Sequence, residues 1–142
     1  MNHSVLEQVR RNLVAIISLV VALSGLGYNT WRNQQSELNS NIRTAGFEVL
    51  TQVGELQRVV FFSHYDQHPE YGNPRNGWAH ILTIHDLSQV IPEPVPGEAD
   101  RLKTVWAESW DTLGQSEAGV DAINAAIDGY RLAVLDTMRS LR

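Results

Sequence analysis

Four of the chain's five histidines fall within one stretch of about twenty residues: His64, His68, His80 and His85, with Asp66 and Asp86 among them. Imidazole nitrogen and carboxylate oxygen are good ligands for divalent metals, so metal chemistry would be sought here first. The spacing argues against it. His64 and His68 stand four apart, one face of an unbroken helix, but Asp66 and Pro69 predict that the helix is already ending. His80 and His85 stand five apart, about 140° around a helix, and diverge. The expectation is therefore ordinary surface or partly buried histidines, with no metal and no cofactor. A role in pH sensing would rest only on the midrange pKa of imidazole.

Trp78, Trp106 and Trp110 form the other notable set. Trp106 and Trp110 share a helical face and, with Trp78, are the candidates for an aromatic ligand pocket. The commoner fate of such a set is the core, because each ring buries a large apolar area. Tyr71 and Trp78, beside a proline-rich connector, offer a further surface for a partner.

Hydrolytic chemistry finds little support. There is no Gly-x-Ser-x-Gly elbow, no phosphate-cradling glycine loop with lysine and no His-Glu-x-x-His pattern. Ser63 and His64 are adjacent, so on a helix their side chains point apart. Glu93 and Glu98 flank the connector, but paired carboxylates alone signal no acid–base catalyst. A catalytic pair would have to join a histidine to Asp66 or Asp86. The chain reads as a non-enzyme.

Whatever these residues do, their compartment is set by the segment before them. Asn12 to Trp31 is an uncharged run of twenty residues, about 30 Å as a helix and so long enough to cross a bilayer. Arg10 and Arg11 precede it, while Tyr28 and Trp31 close it. Basic residues favour the cytoplasmic side and amphipathic rings the headgroup level. The expected topology is residues 1–11 in the cytoplasm, 12–31 across the inner membrane and 32–142 as a periplasmic domain. A cleaved signal peptide, with Ala22 and Ser24 before the cleavage point, is the competing reading. Glu7 in the would-be basic region, and polar helix-forming sequence after Trp31, favour retention.

Composition narrows the partners. The chain has 11 Lys and Arg against 16 Asp and Glu, and setting aside Arg10, Arg11 and Glu7 leaves the outer part at −6. That sign disfavours nucleic acid, whose binding needs clustered basic residues, and disfavours flat docking onto anionic lipid. With no cysteine, thiolate ligands, thiol nucleophiles and disulfides are excluded.

After the span, Leu38, Ile42, Ala45, Val49, Val53, Leu56 and Val60 recur at steps of three and four, widened by Leu50 and Phe61. This predicts one long amphipathic helix. Gly46 and Gly54 within it either admit a close neighbour or are simply tolerated. The helix should end near Tyr65. Asn73-Pro74 then reads as an N-cap followed by proline at the first helical position, opening a second helix to about Val90. Trp78, Ile81, Leu82 and His85 share one of its faces, and Ile84, Leu87 and Ile91 another.

Ile91 to Gly97, with prolines at alternate positions, predicts a stiff extended connector. A third helix follows over Glu98–Leu113, carrying Ala99, Leu102, Trp106, Trp110 and Leu113. Gly114 stops it, and Ser116 caps a last helix with Val120, Ile123, Ile127, Tyr130, Val134, Met138 and Leu141 on one face. No segment shows strand alternation. The expected fold is all-α, one N-terminal transmembrane helix continuing into an antiparallel four-helix bundle.

The segments YNTWRNQQSE, GELQRVVFFSHYD and GWAHILTIHDLSQVIPEPVP resemble those of small single-span membrane proteins of Gram-negative bacteria. The resemblance covers most of the chain and implies no activity. By architecture alone the domain is also similar to helical ectodomains of bacterial membrane sensors. Those sit between two spans, and about eleven residues inside would not signal alone. The expectation is an accessory subunit that works through protein contacts, or a ligand- or metal-sensing module. Gly25 and Gly27 would let a second transmembrane helix approach. If the stripe at 38–60 were left uncovered near the membrane, it would favour a parallel dimer.

Overall fold

The computed structural model describes residues 10–141. The first nine positions of the expected cytoplasmic segment, and Arg142, lie outside them. The described residues are helical and contain no strand. Four long helices follow one another: α1 over Leu13–Phe61, α2 over Pro74–Ser88, α3 over Val95–Ser109 and α4 over Glu117–Ser140. By compactness the chain divides into two units, one ending at Leu38 and one beginning at Asn39.

In the first unit, α1 carries the apolar run. It is the one helix among the described residues long and apolar enough to cross a membrane, with a mean hydropathy of 1.8 and none of that window buried. A membrane span and a secretion signal share these properties.

In the second unit, the expected stripe on α1 is the core face. Ile42, Ala45, Val49, Val53, Leu56 and Val60 are all buried. Leu38, expected as the first member of the stripe, and Phe61, expected to widen it, are 55% and 50% exposed. Phe61 follows Gly54 and Arg58 at helical spacing on the opposite, outward row. From Ile42 to Val60 the stripe is buried, and only its first member, Leu38, stays exposed. Gly46 is buried for a reason: a Cβ there would stand 2.6 Å from Met138 Sδ on α4. Gly54 faces open space.

Specific contacts record the neighbours. Arg43 donates to the Leu141 carbonyl at 3.0 Å and Arg131 to Gln57 Oε1 at 2.7 Å, so numbers rise along α1 as they fall along α4. His80 on α2 meets Gln52 on α1 at 2.8 Å. Trp106 on α3 lies against Gly77 on α2, and His85 on α2 meets Asp100 on α3 at 3.1 Å. The buried residues are apolar apart from Ser63, Ser88 and Thr137, and the Ser88 hydroxyl meets that of Tyr130.

The expected caps are present. Asn73 accepts from the Arg75 N–H at 3.1 Å with Pro74 at the first helical position, and Ser116 accepts from the Gly119 N–H at 3.1 Å. Each satisfies a donor that a helix N-terminus leaves without a partner.

Three local expectations need correction. The connector is not extended through Gly97, because α3 begins at Val95 and takes Pro96 and Gly97 into its first turn. Proline is welcome there, since a first-turn N–H has no intrahelical acceptor. The end of α3 is also shorter than expected: the α-helix stops at Ser109 and Trp110–Thr112 form a 3-10 turn. Leu82 is 47% exposed rather than sharing the buried face with Ile81.

Candidate functional site

The four histidines do not converge. His64 Nδ1 donates to the Leu113 carbonyl at 3.0 Å, and His80 Nδ1 lies 2.8 Å from Gln52 Oε1. His68 Nδ1 faces the backbone N–H groups of Glu70 and Tyr71 at 3.4 and 3.3 Å, closing its own turn. His85 lies between Asp86, at 3.2 Å from Nδ1, and Asp100, at 3.1 Å from Nε2. Among the described residues no group of three or more His, Asp or Glu side chains is arranged to hold a metal. Each imidazole has a separate structural partner.

The tryptophans also part company. Trp106 is fully buried, and its indole lies so close to Gly77 that any Cβ there would overlap the ring. Its Nε1 has no hydrogen-bond partner. Trp110, expected beside it, sits past the end of the α-helix and packs edge-on against Trp78 with ring centroids 6.3 Å apart. Its N–H still reaches the Trp106 carbonyl, as in an α-helix, and the 3-10 turn runs on to Thr112. One ring belongs to the core and two form a partly buried pair at its margin.

At the ends of the apolar run, Arg10 and Arg11 are exposed. Tyr28 and Trp31 are exposed too, with ring centroids 6.1 Å apart. A Cβ at Gly25 or Gly27 would meet nothing.

A third set of aromatic residues, which periodicity did not single out, is the more prominent surface. Where α1 ends, Phe62–Asp66 widen into a π-helical turn, and Gln67 takes the left-handed conformation at φ 46°. The Gln67 and His68 N–H groups both go to the Phe62 carbonyl. Gly72 returns the chain so tightly over that carbonyl that a side chain there would collide with it. This turn gathers rings from either side. Phe61 contacts Phe62 and Tyr65 at 5.7 and 5.3 Å, and Phe62 contacts Tyr71 at 5.9 Å. His68 stacks obliquely on Tyr71 at 4.8 Å.

The outer members face solvent: Phe61 is 50%, Tyr65 64% and Tyr71 52% exposed. Arg58, Phe62 and Tyr71 line a groove beside them. Aromatic residues are costly to leave wet and are enriched in protein interfaces, with arginine. The sequence signal was the run Phe61-Phe62-Ser63-His64-Tyr65 with Tyr71. Only the turn geometry makes it one patch.

Comparison with protein-family models, with curated proteins and with solved structures finds no match to this chain.

Proposed function

We propose that the chain is a single-pass protein of the bacterial inner membrane, N-terminus inside. Its periplasmic part is an antiparallel four-helix bundle that serves as the docking part of an accessory subunit. The observation that carries the reading is the aromatic patch at the α1–α2 turn. Phe61, Tyr65 and Tyr71 are half or more exposed on a unit that otherwise closes a well-packed core. A monomer gains nothing by wetting three contiguous rings, whereas a partner that covers them gains their burial. The unburied apolar run in α1 supports the anchor, as does the resemblance to single-span proteins. The pairings of α1 with α2 and α4, and of α2 with α3, support the bundle. The ligand- or metal-sensing alternative has less behind it, since Trp106 is closed into the core and the histidines are dispersed.

The test is extraction of the full-length chain in mild detergent at native expression, with mass spectrometry of what accompanies it. A membrane or periplasmic partner should co-purify in fixed ratio. It should be lost from a Phe61→Ser/Tyr65→Ser/Tyr71→Ser variant that is still extracted and still helical. Loss of no partner on changing the patch would end the reading.

A further inference from the structure

We propose that the outward face of α1 from Ser40 to Gly54 pairs with the same face of a second copy of this chain, side by side and parallel. This rests on the membrane-anchor reading, because the anchor is what brings two copies together.

Opposite the core stripe, Ser40, Thr44, Phe47, Thr51 and Gly54 recur at steps of four and three, the period of a two-stranded helical seam. The four side chains and the glycine are exposed. At its centre Phe47 is 63% exposed. Beside it runs a shallow groove lined by Asn41, Thr44, Glu48, Thr51 and Leu87. The Thr44 and Thr51 hydroxyls donate to the Ser40 and Phe47 carbonyls of their own helix, at 2.9 and 3.1 Å. Covering them therefore strands no donor. A Cβ at Gly54 would meet nothing within 4 Å, so a second backbone can approach there.

The charges beside the seam select the occupant and its direction. Arg43 flanks one side and Glu48 the other, five residues on, and both are exposed. In a parallel pair those two flanks meet across the seam. Arg43 of each copy then faces Glu48 of the other, and the two-fold axis makes the contact twice. An antiparallel pair would instead set Arg43 against the flank holding Leu50 and Gln57, with no carboxylate. Both groups have capacity left by the number of their donors and acceptors: Arg43 gives an N–H to the Leu141 carbonyl, and Glu48 accepts from Gln52 through Oε1. The seam stops at Gly54 because Arg58, next in the row, would meet its own copy. A face this short lies well below the roughly 800 Å² per partner of a stable soluble dimer. Confinement to one membrane supplies the missing effective concentration.

The natural chain has no cysteine, so single cysteines report pairing without background. Full-length Thr44→Cys and Thr51→Cys variants in native membranes should form disulfide-linked dimers under mild oxidation. A Leu132→Cys control on α4 should not. In the Thr51→Cys background, Phe47→Glu or Arg43→Glu should cut the yield about tenfold, and Arg43→Glu/Glu48→Arg should restore it. Equal linking at Leu132→Cys, no linking at Thr44→Cys and Thr51→Cys, or no restoration by the charge swap overturns the parallel pair. Alkaline carbonate washing of the same membranes separates the premises. A chain that stays embedded yet does not link refutes the pairing alone, whereas a chain that washes off refutes the anchor and the pairing with it.

Discussion

The hydroxyls of Tyr130 on α4 and Ser88 at the end of α2 lie 2.6 Å apart in the core, and Ser88 Oγ also lies 2.6 Å from the Ile84 carbonyl. A carbonyl only accepts, so the single Ser88 proton goes to Ile84 and the phenol must donate to Ser88. The result is a relay from Tyr130 through Ser88 to a carbonyl in the last turn of α2. It joins two helices through polar atoms inside an apolar interior, where such atoms must be partnered.

This relay has a pH signature. Burial pushes the Tyr130 phenol from 10.0 up to about 12. The folded state therefore holds the proton after the unfolded chain has released it. That stability is fully present below pH 10 and is lost as pH rises from 10 towards 12. The total at stake is about 2–3 kcal/mol. Denaturant titrations across this window should show wild type losing stability more steeply than Tyr130→Phe. Parallel slopes would refute the assignment. Below pH 9 the same substitution should cost about 1 kcal/mol, the net value of one hydrogen bond.

Gly77 and Trp106 are a second tight pair. Any side chain at Gly77 must displace a fully buried indole, so Gly77→Ala should destabilise by about 1–3 kcal/mol despite alanine's better helix propensity. Trimming the ring in a Gly77→Ala/Trp106→Phe double variant should recover part of the loss. Thermal melts of the four combinations form the cycle, and simple additivity would show that the two do not touch.

The tryptophans should separate by energy as they do by burial. Trp106→Ala should cost about 3–5 kcal/mol. Trp110→Ala, which removes one partner of a marginal edge-on pair, should cost about 1 kcal/mol. Equal costs in urea melts would return Trp110 to the core.

Because His64, His68, His80 and His85 each have a partner of their own, zinc, copper or nickel added singly should leave the melting temperature unchanged. A ligand of the native state raises it by mass action. A clear upward shift in any one metal would show that histidines distant in the fold come together.

The caps give a local check. Ser116→Ala and Asn73→Ala should each cost about 0.5–2 kcal/mol, by leaving a helix N-terminal N–H without its acceptor. A Ser116→Asp variant should restore most of the first loss.

Much of the fold could be read from residue type and spacing. Ile42, Ala45, Val49 and Val53 on α1, and Ile123, Ile127, Tyr130 and Val134 on α4, keep helical period and are buried. Asn73 and Ser116 begin helices because their side chains accept from the turn ahead. What periodicity could not supply was which rings of different elements meet and where the backbone leaves α geometry. Trp110 pairs with Trp78 of another helix, and the π turn at Phe62 gathers rings that ideal geometry spreads around a cylinder. Pro96 misled for a related reason, since a proline that breaks a helix interior also fits its first turn. The Gly77–Trp106 contact depends on which helices become neighbours, and spacing within one helix is silent on that.

The inward-turned hydroxyls of Thr44 and Thr51 bear on how helical surfaces are counted. A threonine whose proton is already committed to its own backbone offers a visitor mostly methyl. Hydropathy scales, which score the residue as though its hydroxyl were free for water, therefore rank the outer side of α1 as more water-loving than its atoms make it. A search for sticky patches by residue name would pass over this face and see one stray phenylalanine. A search by atom would find that ring set between two rungs that behave much like valine.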